Sequence, residues 1–181
     1  AGRGCYAGPV FAAAVILPSG FHHPLLNDSK QVKAADRTVL RDYIIAHATA
    51  FGVGSVSVPE IDQMNILKAS FLAMHRAIDQ LKQKPSFLLI DGNRFAAYGT
   101  IPHRCFVKGD AHYAAITAAS ILAKTYRDEH MMLLHASYPA YDWISNKGYG
   151  TKAHREAIAL HGLTEHHRRS FNIMPSVQSL F

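Results

Sequence analysis

Hydrophobic runs alternate with amphipathic segments along the chain, and this alternation predicts strands and helices in turn. The apolar run 10–17 is bounded by Pro9 and Pro18, is partly β-branched and is far too short to span a bilayer, so it predicts a buried strand. Shorter apolar runs predict further strands over 53–58, 87–90 and 105–107. Apolar positions at helical spacing predict helices over 34–50, 62–83 and 112–135. Strands that alternate with helices favour an α/β layer architecture.

Small and polar residues predict where these elements end and which face is buried. We expect Gly52 and Gly54 to end the first helix, and Thr151 and Thr164 to cap two short C-terminal helices. The second helix carries one apolar stripe that we expect in the core, formed by Leu67, Phe71, Met74, Ile78 and Leu81. The chain changes character near residue 137, which predicts a helical C-terminal appendage.

Composition excludes several classes of protein. The chain has 181 residues, 49% of them hydrophobic and 18% charged, so it can form one globular core and is not disordered, collagen-like or a disulfide scaffold. We expect Cys5 and Cys105 to be free thiols in a reducing, cytoplasmic location. Lysine and arginine number 19 against 13 acidic residues, a formal charge of +6. This surplus favours a polyanionic partner, although an ordinary basic protein shares the same balance.

Two aspartates are candidates for a metal site. Asp91 ends the predicted strand 87–90 and Asp110 opens the third helix, and ligands of α/β folds bind in the crevice outside the strand ends. Two carboxylates with water and phosphate oxygens suit Mg²⁺ or Mn²⁺. The alternatives are a turn-forming Asp91 and an Asp110 that complements the helix dipole. Asp128 lies four residues after Lys124, so a helical salt bridge explains it, and we expect it to affect the site only through a neighbour.

Two glycine-containing stretches are candidates for sugar and phosphate contacts. The tripeptide Gly2, Arg3 and Gly4 exposes backbone groups that can approach a ribose 2′-hydroxyl, and the Arg3 guanidinium can add a phosphate contact. Tyr149 lies between two glycines beside Lys147, a combination that suits stacking on a sugar or base next to a phosphate. The alternative for Tyr149 is a side chain that packs into the appendage.

Eight short motifs occur in order along nearly the whole chain. They are Ala-Gly-Arg-Gly at 1–4 with Ala-Gly-Pro-Val at 7–10, Leu-Asn-Asp-Ser-Lys at 26–30, Glu-Ile-Asp at 60–62 with Asn-Ile-Leu at 65–67, Leu-Ile-Asp-Gly-Asn at 89–93, Lys-Gly-Asp at 108–110, Ala-Ala-Ser-Ile-Leu-Ala-Lys at 118–124 with Arg-Asp at 127–128, Lys-Gly-Tyr-Gly-Thr at 147–151, and His-Arg-Arg-Ser-Phe at 167–171. In this order the motifs resemble the type 2 ribonucleases H, the ribonuclease HII family.

The resemblance implies a fold and an activity. It implies a ribonuclease H-like mixed central sheet flanked by helices over 1–136, and a small helical region over 137–181 that grips the duplex. It implies an endonuclease that hydrolyses the RNA strand of RNA–DNA hybrids and nicks on the 5′ side of a ribonucleotide embedded in duplex DNA, leaving a 3′-hydroxyl and a 5′-phosphate. Members use four acidic ligands and two divalent ions, Mn²⁺ or Mg²⁺, and Asp91 and Asp110 match the third and fourth ligands.

The same motifs imply which residues bind the substrate. Gly2, Arg3 and Gly4 match the tripeptide that reads the 2′-hydroxyl, and Tyr149 matches the tyrosine that packs on the neighbouring deoxyribose. Lys30 matches a lysine near the backbone phosphates.

The sequence departs from the family pattern at two places. The family's first two carboxylates form an Asp-Glu pair directly before Ala-Gly-Arg-Gly, and here that stretch begins at residue 1. We therefore expect the first strand to be truncated because residues of a normal enzyme precede Ala1. The alternative is a catalytically impaired module that binds RNA–DNA junctions. In the aromatic loop, Asp142 replaces an expected glycine and Asn146 an expected histidine.

The sequence also favours certain partners. The last five residues, 177–181, resemble the pattern with which replication proteins dock on a sliding clamp, and a weak clamp contact competes with a tail that folds back on the domain. We expect no membrane contact, and the resemblance implies a monomer.

Overall fold

The computed structural model describes residues 1–28 and 34–173, and these ranges contain four strands and six helices. The strands are β1 (Val10–Ile16), β2 (Ala50–Val56), β3 (Leu88–Asp91) and β4 (His103–Phe106). The helices are α1 (Ala34–His47), α2 (Val58–Met64), α3 (Ile66–Asp79), α4 (Ala114–Ser137), α5 (Trp143–Asn146) and α6 (Lys152–His161). Three single-turn 3₁₀ segments are Pro24–Asp28, Gly109–Ala111 and Pro139–Tyr141.

Within the described ranges, the strands pair two by two on either side of a groove. β1 pairs with β2 antiparallel, and β3 pairs with β4 parallel, so the strand pairing is mixed. The groove has a volume of about 870 Å³ and is lined by residues 11–16 of β1, by all of β3 and by part of α4. Ala1 lines this groove, and its backbone nitrogen and carbonyl oxygen pair with Phe11 O at 2.6 Å and Phe11 N at 3.0 Å. The α/β class predicted from the sequence is confirmed.

Helix α3 packs closely across β2 because β2 contains two glycines. A Cβ atom at Gly54 would lie 2.2 Å from Ala73 O, and one at Gly52 would lie 2.2 Å from Ala77 O. The expectation that these glycines end the first helix is therefore wrong. They lie inside a strand, where the missing side chains let the helix backbone approach.

The predicted helix 62–83 is two helices joined at Asn65. Asn65 has a φ of +75°, and its side-chain oxygen accepts from Leu67 N at 3.0 Å and Lys68 N at 3.1 Å, so it ends α2 and caps α3. The predicted stripe is only partly in the core. Ile78 is buried, whereas the more deeply buried face of α3 consists of small residues, Ala69, Ser70, Ala73 and Ala77.

Strand β3 is covered on one face only, although its continuous apolar sequence predicted burial on both. Leu88 and Ile90 are buried against Ile78, whereas Leu89 between them remains 39% exposed. The alternation of inward and outward side chains along a strand produces this difference.

Helix α4 is the long central helix and packs against β1 on one side and α1 on the other. Ala118 and Leu122 are fully buried there against Leu40 and Ile44 of α1. The alanine-rich sequence allows this close approach, as expected. No helix in residues 1–28 or 34–173 is both long and apolar enough to cross a bilayer.

The C-terminal region packs on the N-terminal segment rather than standing apart from it. Trp143 and Ile158 are buried in one cluster with Ala7 and with Met131 of α4. The Thr151 hydroxyl accepts from His154 N at 3.2 Å and caps α6, as predicted. The predicted helix after Thr164 is wrong, because the described residues 164–173 form turns and irregular backbone instead.

Candidate active site

The two candidate aspartates lie on adjacent backbone segments. Asp91 ends β3, and its Oδ1 accepts from Gly109 N at 3.1 Å, which ties the strand to the turn that carries Asp110. Asp110 O accepts in turn from the Thr117 hydroxyl at 2.6 Å, so the turn is also fixed to α4. The Asp91 side chain is exposed and that of Asp110 is half-buried. The structure therefore brings both aspartates to one place at the carboxyl end of β3.

Gly109 allows this arrangement because the turn packs tightly. A Cβ atom at Gly109 would lie 2.6 Å from Ile116 Cδ1 and 3.1 Å from Phe106 Cβ. The glycine of the Lys-Gly-Asp motif thus has a packing role that places Asp110 next to β3.

Carboxylate oxygens are the ligands that Mg²⁺ and Mn²⁺ prefer, so Asp91 and Asp110 fit part of a divalent-cation site. In residues 1–28 and 34–173, no three His, Cys, Asp or Glu side chains are grouped as a metal site would require. Water and substrate phosphate oxygens commonly complete the ligand shell of these cations. The donor set in the described residues suits a cation that binds together with a phosphate.

The backbone of Gly2, Arg3 and Gly4 is held from below by a buried arginine. Arg168 is fully buried, and its guanidinium donates to Arg3 O at 3.0 Å, to Gly2 O at 2.7 Å and to Gly8 O at 2.7 Å. The carbonyls of Gly2 and Arg3 therefore point inward. Gly4 and the Arg3 side chain are exposed, and no atom lies within 4 Å of where a Gly4 Cβ would be.

A second buried arginine joins this segment to the loop that carries Tyr149. Arg127 is 1% exposed and donates to Pro9 O at 3.0 Å, to Ala7 O at 3.0 Å and to Lys147 O at 2.9 Å. Gly2 has a φ of +86°, and a Cβ there would lie 2.0 Å from Arg127 Nε. Only glycine fits this combination of backbone conformation and contact.

Neither arginine was identified as a structural residue from the sequence. Arg168 lies in the region 137–181 that was expected to grip the duplex, but its side chain is buried and its donors are used by backbone carbonyls. Burial, together with the positive charge of Arg127, lowers the pKa of Arg168 to about 10, which leaves it charged at neutral pH. Nothing in a single sequence distinguishes such an arginine from an exposed one, since most arginines lie at the surface.

Tyr149 extends from a loop whose backbone is well anchored. Its amide donates to Asn146 O at 2.9 Å, and His154 Nδ1 lies 2.8 Å from its carbonyl oxygen. The ring is 45% exposed, in agreement with the expectation of an accessible aromatic side chain. Partial burial raises the pKa of the Tyr149 hydroxyl, with a further contribution from Cys5 beside it. Cys5 and Cys105 are both free thiols, as predicted.

The two departures from the family pattern in this loop have local explanations. Asp142 adopts a φ of +50°, a left-handed conformation that glycine adopts readily and aspartate tolerates. Asn146 is buried, donates to Tyr141 O at 2.7 Å and accepts from Gly148 N at 2.7 Å. Both polar atoms of the Asn146 side chain are thus hydrogen-bonded to the backbone of the loop.

Two further acidic residues act as structural links. Asp128 accepts from Lys124 Nζ at 2.6 Å, which is the helical salt bridge expected from their spacing. The Asp62 carboxylate accepts from Arg169 N at 3.0 Å, Ser170 N at 3.0 Å and Ser170 Oγ at 2.6 Å. Asp62 thus fastens the C-terminal segment to α2.

Four of the eight candidate residues line the groove between β1 and β3. Its lining includes Gly2, Arg3, Asp91, Lys124 and Tyr149. Asp110 lies beside it through the hydrogen bond between Asp91 and the 109–111 turn. Lys30 and the tail 177–181 lie outside the described residues. Carboxylate, guanidinium, ammonium and aromatic groups thus share one concave surface that suits a phosphodiester and its sugars.

Comparisons with known proteins agree with this fold and site. The family model described as Ribonuclease HII matches residues 1–174. Two proteins named Ribonuclease HII are similar to the chain: that of Parabacteroides distasonis is 61% identical over 180 residues, covering 99% of this chain and 90% of the relative, and that of Bacteroides thetaiotaomicron is 61% identical over 174 residues, covering 96% and 87%.

Two solved structures share the fold at low sequence identity. Ribonuclease H2 from Pyrococcus horikoshii OT3 has a TM-score of 0.77 at 23% identity and covers 96% of this chain and 91% of its own. Ribonuclease HII in the PCNA complex from Archaeoglobus fulgidus has a TM-score of 0.76 at 21% identity and covers 100% and 96%. These likenesses support the predicted ribonuclease H-like architecture.

Proposed function

The chain belongs to the ribonuclease HII family, and from that premise we propose that it is an endonuclease that hydrolyses the RNA strand of RNA–DNA hybrids. We propose further that it nicks duplex DNA on the 5′ side of an embedded ribonucleotide and leaves a 3′-hydroxyl and a 5′-phosphate. Its relatives are named as ribonucleases, which favours the enzyme over a non-catalytic junction-binding module.

The observation that carries the proposal is the convergence of candidate residues on one groove. Gly2, Arg3, Asp91 and Tyr149 come from distant parts of the sequence and line the same concave surface. The groove has a volume of about 870 Å³, and the charged groups in its lining, Asp91, Arg3 and Lys124, are of the kinds that a divalent cation and a phosphodiester contact.

Asp91 and Asp110 are the residues that we assign to the metal. The family depends on divalent metal ions, and these carboxylates supply the oxygen ligands that such ions prefer. We propose Mn²⁺ or Mg²⁺, two of which, when bound, supply an activated water and stabilise the leaving 3′-oxygen. Gly109 N holds Asp91 Oδ1 in a fixed orientation, which reduces the reorganisation needed when a phosphate enters.

Substrate selection is assigned to the backbone of Gly2, Arg3 and Gly4 and to the ring of Tyr149. Arg168 fixes the tripeptide carbonyls, so the remaining exposed backbone groups have a defined direction and can read a ribose 2′-hydroxyl. Contacts to sugars carry no base information, so cleavage should be independent of sequence. We assign Lys30 to the backbone phosphates and Asp128 to the orientation of Lys124 at the groove.

We assign duplex binding to the C-terminal region 137–181. Its exposed cations Lys152, Arg155 and Arg169 can contact phosphates, whereas Arg168 is excluded by its burial. We propose a monomer that acts in the cytoplasm. We also propose a weak contact with a sliding clamp through residues 177–181. A pull-down with residues 177–181 deleted tests this contact, and clamp binding that survives the deletion contradicts it. The Archaeoglobus relative was solved as a complex with PCNA.

A cleavage assay tests the main proposal. A duplex with one ribonucleotide, labelled at the 5′ end of that strand, should give a single nick on the 5′ side of the ribonucleotide when Mn²⁺ or Mg²⁺ is added. Asp91→Asn should retain binding and lose cleavage by at least about 100-fold, because it removes a metal-binding charge. The matched control is Asp42→Asn, the same substitution on the exposed surface of α1, and it should cleave like wild type.

Two results contradict the proposal. The first is binding of the substrate without a nick in the presence of either metal, which favours a junction-binding module. The second is cleavage by Asp91→Asn at the wild-type rate. Equal affinity for duplexes with and without a ribonucleotide indicates a general DNA-binding protein instead.

A further inference from the structure

Two buried histidines face each other beneath the Tyr149 loop. His154 of α6 and His167 of the C-terminal segment are 0% and 1% exposed, and their Nε2 atoms lie 3.2 Å apart. The rings of Tyr141 and Trp143 pack around both. Among the described residues, no carboxylate forms a hydrogen bond with either imidazole, so the pair has no counter-ion.

The neighbours of the pair define where each imidazole proton lies. The Trp143 indole nitrogen can only donate, and it lies 3.0 Å from His154 Nε2, which must therefore accept. The proton of His154 is consequently on Nδ1, from which it is donated to Tyr149 O at 2.8 Å. Thr164 N donates to His167 Nδ1 at 2.9 Å, which places the proton of His167 on Nε2, directed at His154.

The contacts around His154 Nε2 favour a neutral His154, because a proton added there would face the donors of Trp143 and His167. At His167 Nδ1, Thr164 N lies 2.9 Å away and the Thr164 hydroxyl 3.0 Å away. Burial lowers the pKa of His154. Burial also lowers the pKa of His167, to about 4, and positive charge on the nearby His154 and His166 lowers it further.

The titratable groups that face the pair are few and do not favour its charged form. The phenol of Tyr141 packs on both rings and that of Tyr6 packs on His154. His166 is partly exposed, and its protonation adds a like charge. Burial therefore favours the neutral form of both histidines.

We propose that His154 is a positioning residue for Tyr149, and that His167 acts with it by holding the tautomer that donates to the Tyr149 carbonyl. The inference rests on the proposed function, in which the Tyr149 ring contacts the sugar next to the ribonucleotide. The hydrogen bond anchors the backbone of Tyr149, and Gly148 before it is pressed on Ala7 O, where a Cβ would lie 2.5 Å away. The same carbonyl also accepts from Thr151 N at 2.8 Å, so the proton on His154 Nδ1 is one of two donors that fix the backbone from which the ring extends.

Paired substitutions at His154 separate this role from general packing. The amide nitrogen of His154→Asn occupies the place of Nδ1 and can still donate to Tyr149 O, whereas His154→Gln places its polar group near Nε2 and loses that bond. Both variants lose packing and should unfold at lower urea concentration. His154→Gln should raise KM for the ribonucleotide-containing duplex about tenfold with kcat within about twofold, and His154→Asn should restore KM to within about threefold.

A double-mutant cycle with Tyr149→Ala tests whether the effect passes through Tyr149. Tyr149→Ala should raise KM on its own, and adding His154→Gln to it should raise KM no further. Effects that multiply would overturn the inference and leave the proposed function standing. A Tyr149→Ala variant with wild-type KM would overturn the proposed role of Tyr149 and this inference with it.

Long-range ¹H–¹⁵N spectra of the wild-type protein test the tautomers without any substitution. We expect the Nδ1–H tautomer for His154 and the Nε2–H tautomer for His167, both persisting at pH values below 6.5. Opposite tautomers, or protonation of His154 near pH 6.5, would overturn the inference even where cleavage follows the proposed function.

Discussion

The close contact between α3 and β2 makes Gly54→Ala a sensitive test of the fold. The added Cβ would lie 2.2 Å from Ala73 O and 2.5 Å from Ala77 N, and both are backbone atoms of α3 that cannot rotate away. To reach ordinary contact distance, α3 must move by about 1 Å, which disturbs the cluster it forms with Val10 and Val56.

The expected loss of stability combines two opposing effects. Overpacking of this kind costs about 1–3 kcal/mol, whereas replacing glycine by alanine at a compatible conformation restricts the unfolded chain and returns about 0.4–1 kcal/mol. We expect a net destabilisation of about 1–2 kcal/mol, or about 2–8 °C in Tm for a chain of this size.

Urea unfolding followed by circular dichroism measures this difference. Gly4→Ala is the matched control, because no atom lies within 4 Å of its Cβ position and its φ is outside the positive region. It should change the free energy of unfolding by less than about 0.5 kcal/mol. The reasoning is refuted if Gly54→Ala unfolds at the wild-type midpoint, or if Gly4→Ala is equally destabilised.

Two further predictions concern single interactions. Thr151→Ala removes the hydroxyl that accepts from His154 N and should lower Tm by about 2–4 °C, through the loss of about 1 kcal/mol of stability. Thr151→Ser keeps a hydroxyl and should melt close to wild type. Equal melting temperatures for wild type, Thr151→Ala and Thr151→Ser would contradict the capping role. Glu60 is bonded to Arg76 and Ser57, which lowers its pKa to about 2 from 4.5. Its charged form therefore stabilises the protein above about pH 4.5, and this contribution is lost as the pH falls toward 2. The difference in unfolding free energy between wild type and Glu60→Gln should become smaller as the pH falls over that range. The difference should be modest because Glu60 and Arg76 are both partly exposed. A difference that does not change with pH would contradict the lowered pKa of Glu60.

The parts of the fold predicted correctly are those with long, regular patterns. The strand β1 and the helix α4 were located within about two residues, because their apolar spacing extends over several turns or alternations. The break at Asn65 was missed since asparagine inside an apolar pattern looks like an exposed helical position. Gly52 and Gly54 were misassigned because glycines that end a helix and glycines that let a helix pack closely on a strand look alike in a sequence.

Motifs in the sequence predicted candidate site residues, but they did not predict the buried residues that support them. The position of Asp91 at the end of a strand and the exposure of Tyr149 on a loop could be predicted, because the first follows an apolar run and the second lies between two glycines. The buried roles of Arg127 and Arg168 depend on carbonyls more than a hundred residues away in sequence, and no periodicity in one sequence reports such a contact.

The burial of these two arginines changes how the basic composition should be interpreted. The formal charge of +6 counts every lysine and arginine equally, but Arg127 and Arg168 donate to backbone carbonyls inside the protein and cannot release counterions from a nucleic acid. Their charges instead hold the tripeptide 2–4 and the Lys147 loop together. Part of the positive charge therefore fixes backbone inside the protein, and the salt dependence of nucleic-acid binding should reflect only the exposed cations such as Arg3, Lys152 and Arg169.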